Sequence, residues 1–417
     1  MDMLVDTPAD IAQRTECCIA GGGPAGLMLG YLLARAGVEV VVLEKHLDFL
    51  RDFRGDTIHP STLTVLDDLG LLGAFLALPH QEVRELSVDF HGRSVTVADF
   101  THLDAPCPFM VLIPQWDFLD FIAAQARKLP NFSLRMGAKA IGVIEAGGAV
   151  VGVNVQAPAG EFAIKADLVV AADGRHTTLR ESAGLHCDDL GAPIDVLWFR
   201  LPRDAAHDTA QTGGFIRPGV LLVMLNRGDY WQCAYVIPKG RLPTLETQGI
   251  AAFRERVCKV APFLAAASDA LTRWDDVKLL SVQIARMPRW YRAGLLCIGD
   301  AAHAMSPVGG VGINLAIQDA VAASNLLADA LREKRLHTDD LATVQRRREW
   351  PARLTQQVQI AVQNELLAPL LAGSVAPSDL PLPLKLLERL PLLRRLPARL
   401  VGIGVRPERV RTPPHPR

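Results

Sequence analysis

Short apolar runs that end abruptly in glycine recur along this chain. Cys17-Cys18-Ile19-Ala20 leads straight into Gly21, the signature of a buried strand emptying into a tight turn. Pro24 to Ala36 then reads as a helix, with proline at its first position, and Val38 to Leu43 as a second buried strand ending at Glu44. The pattern returns where Ala166 to Ala172 runs into Asp173-Gly174, and where Leu295 to Ile298 runs into Gly299-Asp300. Helices are expected over Ser61 to Leu72, over Trp116 to Lys128 with Gln115 opening it, and after Gly312. In the last of these, Ile313, Ile317, Ala320, Leu327 and Leu331 fall on one face. Alternation from Ile141 to Val155 around Ala146-Gly147-Gly148 predicts a hairpin. Leu221 to Leu225 and Tyr230 to Ile237, joined by Asn226-Arg227-Gly228-Asp229, predict another. Strands alternating with helices define an α/β chain.

The glycines after the first strand carry chemistry. Gly21-x-Gly23-x-x-Gly26 lies between two apolar strands and opens a helix. Glycine is needed there for a turn too tight for a Cβ, for backbone approach to a phosphate and for helix-on-strand packing. The helix start, with Pro24, Ala25 and Gly26, offers free N–H groups and a positive dipole end to a pyrophosphate. Glu44, next to Lys45, follows at the spacing where an acid accepts hydrogen bonds from a ribose; a carboxylate there favours FAD or NAD over NADP. Gly30 and Gly37 extend the glycine spacing across the helix, and only one such unit is present.

Farther along, Asp173-Gly174 is followed by Thr177 and Arg180, and Gly299-Asp300-Ala301-Ala302-His303 by Pro307, Gly309, Gly310, Gly312 and Asn314. A carboxylate at a strand end can hold ribityl hydroxyls. N–H groups at the start of the helix beyond the glycine loop can face a flavin edge that gains negative charge on reduction. The order and separation of the three motifs imply one discontinuous cofactor domain interrupted by insertions.

These residues resemble the group A flavoprotein monooxygenases, the single-component aromatic hydroxylases similar to para-hydroxybenzoate hydroxylase. The likeness rests on GGGPAG with Glu44, on residues 167–180 and on residues 299–319, with Arg54 and Gln115 at two weaker flavin-contacting positions. Thr177 stands where serine is commoner, and Val311 where a longer or polar residue is often found. The resemblance implies a Rossmann-like FAD-binding domain interrupted by a mixed β-sheet substrate domain, with a C-terminal helical region. It implies FAD, with NADH or NADPH as transient electron donor, and O2 used through a flavin C4a-hydroperoxide to hydroxylate an aromatic or polycyclic molecule. It further implies that Asp173 and Gly174 serve FAD and nicotinamide together and that Asp300 holds the ribityl chain. Pro307 and Gly310 would form the flavin-ring environment, with Gly312, Ile313 and Asn314 beside them. Epoxidation, Baeyer–Villiger oxidation or FAD-dependent dehydrogenation would suit the same scaffold, and a flavin-binding regulatory protein is the non-enzymatic alternative.

Composition bounds the rest. The 417 residues are 49% apolar and 21% charged, with a formal net charge of −1, which gives no reason to invoke nucleic acid. Seven scattered cysteines form no CxxC pair, which points to reduced thiols in a cytoplasmic protein and no metal centre. Residues 1–14 are polar with three aspartates, unlike a secretory leader, and no uninterrupted apolar run is long enough to span a bilayer. The expected division assigns 1–75, 108–184 and 278–330 to the FAD domain and 76–107 and 185–277 to the substrate domain. Residues 331–417 form the C-terminal helical region, with 411–417 a flexible end. A homodimer is compatible with this pattern. In the second hairpin Trp231, Cys233 and Tyr235 share one face, Tyr230, Gln232 and Ala234 the other, and either could cover the flavin. His59, His91 and His102 are candidates for deprotonating a phenol, although a structural role is favoured for each. The absence of a basic cluster around the insertions favours an apolar phenolic or polycyclic substrate. The Leu-, Pro- and Arg-rich tail from Ala376 predicts short amphipathic helices, favoured to pack back on the domain, with contact to a membrane or partner as the alternative.

Overall fold

A computed structural model describes residues 13–50, 57–204, 212–374, 376 and 380–415. In chain order the elements that build the first layer are β1 (Gln13–Ala20), α1 (Pro24–Arg35), β2 (Val40–Glu44), α2 (Pro60–Asp68) and α3 (Gln115–Ala126). They continue with β3 (Phe132–Met136), β4 (Gly160–Ala171), β5 (Leu295–Cys297), α4 (Gly312–Arg332) and α5 (Thr338–Ala361). The five strands lie in the order β5-β4-β1-β2-β3, every pair parallel. In β2, β5, and the ends of β1 and β4 that lead into the loops, the side chains are buried on both faces, which is why these strands read as continuous apolar runs. Leu27, Leu33, Phe118, Ile122, Ile317 and Val321 bring α1, α3 and α4 together on one face. The hairpin Lys139–Ala146 and Ala149–Ala157 pairs antiparallel with the start of β4.

A second sheet has seven strands, in the order Lys278–Leu280, Ile194–Pro202, Tyr230–Pro238, Val220–Asn226, Gly213–Arg217, Glu85–Phe90 and Arg93–Asp99. Its strands come from the two insertions and from Lys278–Leu280, which had been expected in the first domain. Trp231, Cys233 and Tyr235 pack with Phe199 beneath Phe253 and Val257 of the helix Leu242–Val260. The opposite face packs Val196, Leu221, Ala234 and Val236 against C-terminal Leu367, Leu370 and Leu384. The fold is thus α/β, a Rossmann-like layer joined to a mixed sheet and closed by C-terminal helices.

Two expectations are corrected. Ser61 to Leu72 is not one helix: α2 ends at Asp68, Gly70 turns at φ +69°, and a new helix runs Leu72–Leu76. The end of the chain is held rather than flexible as far as His415. The Arg411 and Thr412 N–H groups donate to Asn325 Oδ1, and the His415 N–H donates to the Arg35 carbonyl at 2.9 Å. The helical stretch 308–332 contains an 18-residue window of apolar average composition, and 78% of that window is buried inside the protein.

Candidate functional site

Parallel strands place their carboxyl ends on one side, so the motifs expected from sequence converge there: Gly21–Gly23 after β1, Glu44 closing β2, Asp173–Gly174 after β4 and Gly299–Asp300 after β5. The three fingerprint glycines have separable reasons. A Cβ at Gly21, which sits at φ +107°, would stand 2.3 Å from the Ala172 carbonyl oxygen, and one at Gly26 would stand 1.9 Å from the Gly21 carbonyl oxygen. Both are demanded by protein against protein. A Cβ at Gly23 would meet no atom of the described residues within 4 Å. Gly23 is also the N-cap of α1, without any side-chain cap, so among the described residues nothing caps the N–H groups of the helix start. Glu44 is buried, its Oε2 accepting from the Gly22 N–H at 3.0 Å and its Oε1 from the His46 N–H at 3.1 Å. The carboxylate therefore fastens the glycine turn as well as lying beside it. Lys45 is exposed, Gln115 is the first residue of α3, and Arg54 lies outside the described residues.

Asp173 is half-buried, and its Oδ1 is enclosed without a protein partner among the described residues. Burial raises its carboxyl above the ordinary value, with the Thr177 hydroxyl offsetting part of the effect. Thr177 caps the helix Thr178–Ser182, and Arg180 reaches back to the Ala301 carbonyl at 3.1 Å and the Arg175 carbonyl at 3.1 Å. One buried guanidinium thus ties the second motif to the third. Asp300 is half-buried and takes no hydrogen bond from the described residues, whereas its neighbours are firmly held.

That hold comes from Asp319, a residue inside the third motif to which sequence reasoning gave no role. Its Oδ2 accepts from the Gly299 N–H at 3.0 Å and meets His303 Nε2 at 2.6 Å, while Oδ1 accepts from Arg348 Nε at 3.0 Å. Burial alone would raise the Asp319 carboxyl, but His303 and Arg348 outweigh it and hold the group below the ordinary range. Arg348 in turn meets Glu408 Oε1 at 3.4 Å, and Arg347 Nε donates to the same oxygen at 2.6 Å. The sequence signal was an acid within an otherwise apolar, fully buried stretch, which requires a partner.

The loop from Met305 to Val311 is fixed from two sides. Gln359 accepts from the Ser306 N–H at 3.1 Å and donates to the Ser306 and Val308 carbonyls, both at 2.9 Å. Gln356 donates to the Ala285 and Ala304 carbonyls, and Gln363 donates to the Ser306 hydroxyl. On the other side, Asn314 is buried, its Oδ1 accepting from the His59 N–H at 3.0 Å and the Thr62 hydroxyl at 2.7 Å. The Asn314 side chain is thereby used as a strut, leaving its backbone at the start of α4. Gly310 sits at φ +64°, where a Cβ would come within 2.6 Å of Thr57 Oγ1. Gly312 has no positive φ, and the nearest atom to a Cβ there is Met305 Cβ at 3.9 Å. As at Gly23, the protein leaves the space open, and α4 begins without a side-chain cap. Pro307 and Ile313 are both half-buried beside this opening.

The candidate histidines fall away from the site chemistry. His59 is fully buried, its Nδ1 2.7 Å from the Val401 carbonyl and its Nε2 3.3 Å from Thr57 Oγ1, and burial lowers it to about 4. His91 occupies a hairpin turn at φ +53°, and His102 lies 3.3 Å from Asp99 on the surface. Among the described residues no group of three His, Cys, Asp or Glu is placed to hold a metal.

Two uncapped helix starts where the described residues leave room, with Glu44, Asp173 and Asp300 at strand ends on the same side, suit an elongated dinucleotide. Comparison with known proteins agrees. Residues 14–358 match the FAD binding domain family. The chain is 34% identical over 409 residues, 97% of this chain and 96% of the relative, to 6-methylpretetramide 4-monooxygenase of Streptomyces rimosus. It is 27% identical to para-nitrophenol 4-monooxygenase of a Pseudomonas species, covering 72% of this chain and 75% of the relative. The solved structure of OxyS anhydrotetracycline hydroxylase from Streptomyces rimosus superposes with a TM-score of 0.72 at 24% identity, over 94% of this chain and 76% of that one. The chain belongs to the FAD-binding flavoprotein monooxygenases, the aromatic hydroxylase family of the earlier resemblance. It is an FAD-dependent oxidoreductase, with NAD(P)H as the electron donor typical of the family.

Proposed function

We propose that the chain hydroxylates a polycyclic aromatic molecule, using NAD(P)H and O2, in a cleft between the α4 loop and the second sheet. The observation that carries this reading is the pair of open helix starts at Gly23 and Gly312, where none of the described residues crowds the place of a Cβ. The N-terminus of α1, with Gly21, Gly23, Pro24, Ala25 and Gly26, would hold the pyrophosphate, and Glu44 with Lys45 and Arg54 the adenosine side. Asp300 would bind the ribityl hydroxyls, Asp173 and Gly174 the flavin and nicotinamide, and Gln115 the flavin from α3. Pro307, Gly310, Gly312, Ile313 and the Asn314 backbone would border the ring. Bound FAD would supply the electron transfer from NAD(P)H to oxygen; the chain orients the partners and excludes water. Residues 1–75, 108–184 and 278–330 would serve as the cofactor domain and 76–107 with 185–277 as the substrate domain, with Lys278–Leu280 attached to the latter's sheet.

For the substrate, the sheet face opposite the helix Leu242–Val260 supports the reading. Trp198, Val223 and Val308 are half-buried apolar groups of one cluster, and Gln232, 3% exposed, has its Nε2 enclosed without a partner among the described residues. An apolar wall with one spare amide donor suits fused rings bearing a phenol or ketone oxygen. The 34% identity to a pretetramide monooxygenase over nearly the full length favours the same class. All seven cysteines are free, which supports the cytoplasm as the compartment. The test is a panel of polycyclic phenols under labelled oxygen, with NAD(P)H consumption followed in parallel. Substrate-stimulated consumption with one labelled oxygen in the product is expected; oxidised product free of label would overturn the proposal.

A further inference from the structure

The segment from Leu382 to Arg399 is anchored by one side only. Leu384 and Ala398 are buried, and Glu388 pairs with Arg93 Nε at 2.6 Å. The other side carries Leu382, Leu386, Leu390, Leu392 and Leu396, exposed by 67%, 43%, 51%, 69% and 65%. The first three follow at intervals of four residues along and just past the helix Leu382–Arg389, so they share a face, and Leu392 and Leu396 are exposed in the following turn and in the helix Arg395–Gly402. Arg389, Arg395 and Arg399 are exposed among them. From 382 to 399 the charged residues are Lys385, Arg389, Arg394, Arg395 and Arg399 against Glu388, five minus one, or +4 in a chain whose total is −1.

We infer that this face docks peripherally on an anionic lipid bilayer, with the leucines in the acyl boundary and the arginines at the headgroup phosphates. Leucines interleaved with arginines on short amphipathic helices match such an interface, which takes up both the apolar and the cationic groups. A second copy of the chain is a poorer occupant, because a two-fold contact would set one +4 segment against another. The helices are already formed and anchored by Leu384 and Ala398, so docking requires no folding of the segment. This surface does not depend on what the enzyme oxidises.

The test is cosedimentation of the full-length, FAD-loaded protein with vesicles of phosphatidylglycerol and phosphatidylcholine, against phosphatidylcholine alone. Binding is expected only with phosphatidylglycerol and should weaken as salt rises. In Arg395→Gln/Arg399→Gln each lost charge should weaken it about fivefold. Leu390→Ser/Leu392→Ser/Leu396→Ser should abolish binding while flavin content and thermal unfolding stay like the parent's. Equal binding to both vesicle types, binding to neither, or retention of binding by both variants would overturn the inference. So would a concentration-dependent dimer, or capture of an acidic protein in place of lipid, that the leucine variant abolishes. Should the leucine variant fold poorly, the arginine pair, exposed and outside the core, decides.

Discussion

Gly312 and Gly26 have the same missing Cβ for opposite reasons. At Gly26 the crowding atom is the Gly21 carbonyl, 1.9 Å from where a Cβ would stand, so Gly26→Val should prevent correct folding with or without flavin. At Gly312 the described residues offer only Met305 Cβ, 3.9 Å away, and the backbone is not left-handed. Gly312→Val should therefore leave the thermal stability of the apoprotein near the parent's and weaken FAD binding by about tenfold or more, at least ~1.4 kcal/mol. Titration of apoprotein with FAD beside a melting curve checks this; equal losses in both would remove the ligand role. His59 gives a pH prediction of different character. Burial lowers it from 6.5 to about 4, so between those values the unfolded chain binds the proton that the folded one refuses. Stability is then full above pH 6.5 and falls as the pH drops toward 4, by about 3 kcal/mol over the whole window. Urea unfolding between pH 7 and pH 5 should show the decline, and His59→Gln should flatten it; parallel curves would assign the acid sensitivity elsewhere.

Strands that end in glycine were legible because burial on both faces of a parallel sheet leaves an unbroken apolar run, and each run stops where the turn begins. The ladder of glutamines on α5 and just beyond it was not. Gln356, Gln359 and Gln363 recur at helical spacing, and polar residues on one helix face ordinarily read as solvent-facing. They are buried because the facing partner is bare loop backbone, whose N–H and C=O groups need satisfying. Which face of the Tyr230–Pro238 strand packs beneath a helix was equally hidden, since alternation marks two faces without ranking them. The break at Gly70 escaped because apolar spacing continued across it. Gln359→Leu would strip three hydrogen bonds from Ser306 and Val308 while keeping the bulk. A cost of about 1–3 kcal/mol in stability is expected from the unsatisfied backbone. If this loop borders the flavin, the absorbance spectrum of the bound flavin and its rate of reduction should change as well. A stability loss with an unaltered spectrum and rate would confine the ladder to scaffolding.

A relay of buried ion pairs runs from the C-terminal stretch back to the third motif. Glu408 meets Arg347 and Arg348, Arg348 meets Asp319, and Asp319 holds the Gly299 N–H and His303 next to Asp300. No local pattern announces this, because its members are spread from Gly299 to Glu408 and a glutamate in an Arg-rich tail reads as surface. The side chains of Asp319, Arg348 and Glu408 are each 1% exposed, so removing one partner strands a buried charge instead of merely deleting a contact. Glu408→Ala should cost about 3–5 kcal/mol, more than truncating a tail residue that only covers surface. Its effect should also reach the opposite end of the chain of contacts, loosening Gly299-Asp300 and shortening the retention of FAD during dilution. Arg409→Ala supplies the control: it breaks an ion pair with Asp68 whose arginine is 59% exposed, and should change stability by less than about 1 kcal/mol. Following flavin fluorescence after dilution of both variants separates the two cases. Fast release from Glu408→Ala alone would show that the tail braces the cofactor site; release at the parent's rate from both would limit the tail to holding the helices together.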